Sequence, residues 1–83
     1  MIEIYGKPKC PYCESAKRLC ETRHLSYTYF QLDVDFTRDE VLEMFPGART
    51  FPQIKVAGTP IGGYDRFPRY LEETGYNGTG DSL

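Results

Sequence analysis

The sequence has no run near the roughly 18 apolar residues that a transmembrane helix needs. Its first residues, Met1 to Ile4, also lack the basic start and apolar segment of a secretory signal peptide. Cysteine is scarce, and three cysteines are an odd number that does not match the disulfide framework of a small secreted protein. We therefore expect no membrane contact and a cytoplasmic location.

A strong positive charge is also missing, because the net charge is −2. This argues against nucleic acid as a main partner. The charge is nevertheless uneven: residues 1–27 carry five bases and three acids (5 − 3 = +2), whereas residues 33–43 carry one base and five acids (1 − 5 = −4). The locally basic N-terminal part suits a small anionic substrate.

Two cysteines separated by two residues, Cys10 and Cys13, form the most informative motif. Such a pair exchanges a disulfide for two thiols, binds a metal, or packs in a core. Pro11 suits the first position of a helix, which would leave Cys10 just before the helix. Unpaired N–H groups and the helix dipole would then favour the Cys10 thiolate and lower its pKa from about 8.5 to roughly 3.5–7.5. The motif thus predicts a nucleophilic Cys10 and a resolving Cys13.

Periodicity and turn residues predict the order βαβα followed by ββα in one small domain. Thr37 and Glu40 have the spacing of a capping box, and Val41, Leu42 and Phe45 would form the apolar side of that helix. The predicted strands are 2–5, 27–32, 53–57 and 60–62. The first predicted helix is 11–23, the second is capped by Thr37, and the third is capped by Asp65 and ends at Gly75. The strands of the first βαβ unit should be parallel, and residues 76–83 should form a flexible tail.

Across residues 1–75 these motifs resemble those of the glutaredoxins. Four features carry the resemblance. The first is the dithiol motif Cys10-Pro11-Tyr12-Cys13, and the second is Lys7, three residues before the first cysteine. The other two are Gly47 to Pro52, similar to the family's G-x-x-T-V-P loop, and Gly62 to Asp65, similar to its G-G-x-D turn. Thioredoxins usually have Trp-Cys-Gly-Pro-Cys, and this sequence has no tryptophan. Its short length favours a compact bacterial or phage form.

The resemblance implies a thioredoxin fold, an α/β structure with a four-stranded mixed sheet in the order 2-1-3-4 and three helices. It also implies an enzyme that reduces protein disulfides and glutathione mixed disulfides, with glutathione as co-substrate and no tightly bound cofactor. We expect a monomer whose partners are glutathione and disulfide-containing or glutathionylated proteins, among them ribonucleotide reductase.

By the same resemblance Cys10 and Cys13 are the catalytic residues, and Lys7 pairs with the glycine carboxylate of glutathione. Phe51 stands where the family usually has valine, but its expected contact with glutathione uses the backbone, so we expect function to survive. The remaining glutathione contacts implied are Tyr12 at the opening, Thr50, Phe51 and a cis Pro52 in one loop, and Gly63, Tyr64 and Asp65 at the γ-glutamyl end. The roles of Cys20, Arg38 and Arg49 are not assigned, although Cys20 suits a small apolar core position.

Two other functions stay open at this point. One is a thioredoxin-like electron donor to ribonucleotide reductase that is itself reduced by a dedicated reductase. The other is a metal or iron–sulfur carrier, with Cys10, Cys13, Cys20 and His24 as a tempting zinc set. If residues 13–24 are helical, however, Cys13 and His24 lie roughly 16 Å apart along the axis. Zinc bonds are only about 2.0–2.3 Å long, so we expect no metal site.

Overall fold

The computed structural model describes residues 1–76. The predicted order of elements is confirmed, and the ends of strands and helices differ from the prediction by a residue or two. The strands are β1 (Ile2–Gly6), β2 (Tyr27–Gln31), β3 (Gln53–Val56) and β4 (Thr59–Gly63), and the helices are α1 (Pro11–Thr22), α2 (Arg38–Met44) and α3 (Phe67–Thr74), the last preceded by a 3-10 turn, Tyr64–Arg66. Apart from Tyr76, which packs against the core, the predicted tail lies outside the described residues.

The four strands form one mixed sheet in the order β2-β1-β3-β4. β1 and β2 are parallel, as the βαβ unit predicts, because α1 carries the chain back across the sheet between them. β3 pairs antiparallel with both β1 and β4, and a tight turn joins the β3–β4 hairpin. The sheet order and the three helices implied by the resemblance are therefore confirmed.

Apolar side chains project from both faces of the sheet, and helices pack on each face. Along β1, Ile2 and Ile4 point to the face that α1 and α3 cover, while Tyr5 points to the opposite face. Such alternation follows from the two-residue period of a strand. The larger core also contains Ala16, Cys20, Leu25, Ile54, Val56, Phe67 and Leu71, and the smaller core contains Phe36, Val41 and Phe45.

The start of α2 is set locally, as the sequence predicts. The Thr37 hydroxyl accepts a hydrogen bond from the Glu40 backbone N–H at 3.2 Å, and the Glu40 carboxylate accepts one from the Thr37 N–H at 2.7 Å. The predicted apolar side is only partly correct: Val41 and Phe45 are buried, but Leu42 is 40% exposed. Consecutive helical residues are rotated by about 100°, so a residue next to Val41 turns toward solvent in this short helix.

The prediction that Asp65 caps the last helix is wrong. Asp65 lies inside the 3-10 turn, and the residue at the cap position is Arg66, whose side chain makes no capping hydrogen bond. Pro68 stands in the first turn of α3, where a residue without an N–H fits well. Gly75 ends α3, as predicted, and it has a left-handed conformation. Within the described residues 1–76, no helix combines the length and apolar character needed to cross a membrane.

Strand register brings three distant segments to one end of the sheet. Tyr5, near the end of β1, pairs with Gln53 at the start of β3, and Gln53 also pairs with Gly63 at the end of β4. The loop that leads to Cys10, the residues before Gln53 and the turn after Gly63 therefore meet at this end. These segments carry the site residues that the sequence predicts.

Candidate active site

Cys10 and Cys13 are joined by a disulfide at the start of α1, with their Cα atoms 5.2 Å apart. Cys10 is the N-cap residue of the helix and Pro11 follows at the first turn, as predicted. The Cys10 Sγ accepts a hydrogen bond from the backbone N–H of Cys13 at 3.2 Å. After reduction of the disulfide, a donor in this position and the helix dipole would stabilise negative charge on the Cys10 sulfur. Cys10 is 7% exposed and Cys13 is fully buried, so Cys10 is the more accessible of the two cysteines.

The buried sulfur of Cys13 lies against the end of β1. A Cβ atom added to Gly6 would lie only 2.9 Å from the Cys13 Sγ and 2.8 Å from a ring carbon of Tyr29. Glycine at this position therefore allows the helix to approach the strand closely. The Lys17 ammonium lies 4.4 Å from the centre of the Tyr29 ring, a cation–π arrangement on the same side of the sheet. Sequence analysis did not identify Gly6 or Tyr29, because their contacts depend on how strands and helices pack.

The loop before β3 faces the cysteines. The peptide bond between Phe51 and Pro52 is cis, as the resemblance implies. The Phe51 carbonyl oxygen lies 3.7 Å from the Cys10 Sγ. Gln53, a buried polar residue that the sequence analysis missed, donates a hydrogen bond from its side-chain amide to the Thr50 carbonyl at 2.7 Å. This bond holds the loop in place, and the position of a polar residue directly after Pro52, at the start of β3, was its available signal.

A cavity of about 240 Å³ opens beside Cys10, and five of the predicted glutathione-binding residues line it: Tyr12, Thr50, Phe51, Tyr64 and Asp65. The rings of Tyr12 and Tyr64 stack with their centres 5.7 Å apart, which joins the start of α1 to the 3-10 turn. Tyr12 is 64% exposed, so its ring forms the outer edge of the cavity. Because these residues come from three separate segments, the fold is what assembles them.

Gly63 and Pro52 lie directly behind this cavity. A Cβ atom on Gly63 would approach a carboxylate oxygen of Asp65 to 3.2 Å, and it would lie 3.7 Å from the Pro52 carbonyl oxygen and from the Thr50 hydroxyl. A side chain at position 63 would therefore crowd the floor of the cavity. Pro52 is fully buried beneath the loop.

Lys7, like Pro52 and Gly63, is a predicted glutathione contact that does not line the cavity. It is exposed in the loop between β1 and Cys10, and its carbonyl oxygen lies 3.5 Å from the Tyr29 hydroxyl. Arg38 and Arg49 are also exposed, and together they line a small depression of about 70 Å³ beyond the Phe51 loop.

The third cysteine takes no part in this site. Cys20 is free and fully buried in the core, as predicted, and burial raises its pKa to about 11. A thiol with such a pKa is a poor nucleophile at neutral pH. Because α1 is helical through Thr22, Cys20 lies two turns from Cys13. Within residues 1–76, no group of three or more His, Cys, Asp or Glu side chains is placed to hold a metal ion.

Comparison with known proteins places these features in context. The glutaredoxin family model matches residues 2–61. Glutaredoxin 3 of Escherichia coli K12 is 36% identical over 64 residues, which cover 77% of this chain and 77% of that protein. The solved structure of a buckwheat glutaredoxin–glutathione complex aligns with a TM-score of 0.75 and 25% identity, over 87% of this chain and 68% of that chain.

A hybrid peroxiredoxin of Haemophilus influenzae is 38% identical over 70 residues. That match covers 84% of this chain but only 29% of the hybrid peroxiredoxin. The similarity is thus confined to a part of that larger protein.

Proposed function

This chain belongs to the glutaredoxin family of thiol–disulfide oxidoreductases, and from that premise we propose that glutathione is its reductant and Cys10 its nucleophile. The cavity beside Cys10 carries the proposal, because five side chains that the sequence assigns to glutathione line it together. The related buckwheat glutaredoxin was solved as a glutathione complex, which supports the same ligand here.

Each part of glutathione has a matching feature around the cavity. The cysteine part would lie along the Phe51 backbone, whose carbonyl oxygen is 3.7 Å from the Cys10 sulfur, and would form strand-like hydrogen bonds with it. The γ-glutamyl end would lie at the 3-10 turn, where Asp65 accepts hydrogen bonds from its ammonium group. The glycine carboxylate would pair with the ammonium of Lys7, an exposed side chain in the loop before Cys10.

The proposed reaction is a pair of thiol–disulfide exchanges. The Cys10 thiolate attacks the glutathione sulfur of a protein–glutathione mixed disulfide, and the protein leaves as a thiolate that takes a proton from water. A second glutathione thiolate then attacks the disulfide on Cys10, which releases oxidised glutathione and restores the Cys10 thiolate. One free glutathione is consumed: its sulfur joins the glutathionyl group of the mixed disulfide as oxidised glutathione, and the client sulfur is reduced to a thiol, so atoms and electrons balance.

A protein disulfide would follow a second route that uses both cysteines. Cys10 attacks one client sulfur and forms a mixed disulfide, and the other client sulfur leaves as a thiol. Cys13 then attacks the Cys10 sulfur and releases the second client thiol, which leaves the Cys10–Cys13 disulfide. The observed disulfide at the start of α1 supports this role for Cys13.

The clients we propose are disulfide-containing and glutathionylated proteins, with ribonucleotide reductase as one candidate. The cytoplasmic location expected from the sequence stays a prediction.

The test is the rate of glutathione-coupled reduction of a small glutathione mixed disulfide, followed through glutathione reductase and NADPH. We expect turnover by the wild-type protein, none by Cys10→Ser, and near wild-type turnover by Cys20→Ala, which is the matched control for loss of a cysteine. If the wild-type protein fails here but is reduced by a thioredoxin reductase, the thioredoxin-like alternative is correct instead.

A further inference from the structure

A second and larger cavity, of about 600 Å³, lies between the α2–β3 loop and β4. Its lining includes Ala48, Arg49, Thr50, Pro60, Gly62 and Arg66, and we call it the arginine groove. Thr50 lines both this groove and the cavity beside Cys10. The two cavities are therefore neighbours that share one wall.

The groove is basic although the protein is acidic. Two arginines line it, and no Asp or Glu side chain does so within the part of the chain that the structure describes. The segment that forms it, residues 44–66, carries three bases and one acid (3 − 1 = +2), against a net charge of −2 for the whole chain. Arg49 and Arg66 are both exposed, and neither forms an ion pair with another residue of the described part of the chain, residues 1–76. Their guanidinium groups are thus available to an anionic partner.

The position of Arg66 is held by the strand beneath it. Gly62 has a φ of +109°, a conformation that disfavours any residue with a side chain. A Cβ atom at Gly62 would lie 3.1 Å from the Arg66 Cδ, so the aliphatic stem of Arg66 packs on the bare backbone of β4. Because its stem is already packed, the Arg66 side chain loses less conformational freedom when its guanidinium binds a carboxylate.

We propose that the arginine groove binds an acidic segment of the client protein next to its reacting cysteine. The proposal rests on the function proposed above, in which glutathione fills the cavity between Tyr12 and Thr50. The client part of a mixed disulfide must then lie outside that cavity, and because Thr50 lines both cavities, the groove is directly next to the one that glutathione fills. Carboxylates of Asp or Glu residues near the client cysteine would meet Arg49 and Arg66 there, since a guanidinium pairs with a carboxylate through two parallel hydrogen bonds.

The test uses two S-glutathionylated peptides of equal length, one with Asp and Glu around the cysteine and one with Lys and Arg. The measured quantity is the ratio of kcat/KM for the acidic peptide to that for the basic peptide. We expect the wild-type protein to prefer the acidic peptide, and both Arg49→Gln and Arg66→Gln to lower the ratio by about three- to fivefold, the size of an exposed ion pair. Arg66→Lys keeps the charge but loses the two parallel hydrogen bonds, so it should lower the ratio less than Arg66→Gln does. Arg18→Gln, which removes an exposed arginine on α1, should leave the ratio unchanged. Added salt should reduce the wild-type preference.

Equal kcat/KM values for the two peptides in the wild-type protein would overturn the inference and leave the glutaredoxin function intact. If neither peptide is turned over with glutathione, the proposed function itself fails. A second measurement then decides about the groove: NMR titration of the oxidised protein with the acidic peptide carrying Ser in place of Cys. Shifts of the Gly62 and Arg66 backbone amides would support the groove as the docking site, and shifts confined to other regions would contradict it.

Discussion

Replacing Gly6 with alanine should displace the resolving cysteine more than the nucleophile. The added Cβ would stand 2.9 Å from the Cys13 Sγ and 2.8 Å from a Tyr29 ring carbon, whereas ordinary contacts begin at 3.4 Å. The atom nearest to the added Cβ is the Tyr29 hydroxyl oxygen, and the overlaps with the Tyr29 ring carbon and the Cys13 sulfur are 0.6 Å (3.4 − 2.8) and 0.5 Å (3.4 − 2.9). Gly6 does not need a left-handed backbone, so steric overlap is the only direct effect of the substitution.

Forcing an extra methyl group into a packed interior costs about 1–3 kcal/mol. In a domain of this size, each kcal/mol lowers the melting temperature by about 4–8 °C. We therefore expect Gly6→Ala to melt at least about 4 °C below the wild-type protein under reducing conditions. We also expect reduction of a protein disulfide, which needs Cys13, to fall more than reduction of a glutathione mixed disulfide, which needs Cys10 alone.

A double-mutant cycle with Cys13→Ala isolates the contact. Because Cys13→Ala removes the sulfur atom, Gly6→Ala should cost less stability in that background than in the wild-type protein. The reasoning would be refuted by a Gly6→Ala variant with wild-type melting and wild-type activity on both substrates. Additive effects of Gly6→Ala and Cys13→Ala would refute the proposed contact with the sulfur.

Three further predictions concern the cysteines and one helix cap. Cys13→Ser should retain reduction of glutathione mixed disulfides and lose reduction of protein disulfides; loss of both in the paired assays would contradict the division of roles. Burial raises the pKa of Cys20 from 9.0 to about 11. As the pH rises, the thiol is therefore deprotonated in the unfolded chain before it is deprotonated in the folded protein. The free energy of unfolding should fall by up to about 3 kcal/mol between pH 9 and 11. Urea unfolding of Cys20→Ala should show a shallower decline over this range, and an unchanged slope would mean that Cys20 does not cause it. Thr37→Ala removes one half of the capping box and should cost about 1 kcal/mol by the same method, whereas Thr28→Ala, on an exposed strand position, serves as the control.

Features that depend on neighbouring residues were predictable from the sequence. The capping box needs only Thr37 and Glu40, and the placement of Cys10 before a helix needs only Pro11 and the cysteine spacing. The cis bond at Pro52 and the order of the strands came from the resemblance to a known family, since periodicity alone does not determine either. The cavity residues were likewise named by that resemblance, and the fold brings five of them together.

Features that depend on packing between distant segments were not predictable. Asp65 has the residue type of a helix cap, but a 3-10 turn continues past it and moves the start of α3 to Phe67. The close approach of Gly6 to Cys13 requires the packing of α1 on β1. Arg49 and Arg66 are 17 positions apart and line one groove only because β4 lies beside the α2–β3 loop.

The central claim is that the glutathione half of a mixed disulfide, and not the client half, is transferred to Cys10. The most direct measurement is mass spectrometry of Cys13→Ser after reaction with an S-glutathionylated peptide and no free glutathione. The account predicts a covalent adduct of one glutathione on Cys10 and release of the peptide as a free thiol. An adduct of the peptide on Cys10, with glutathione released, would contradict it.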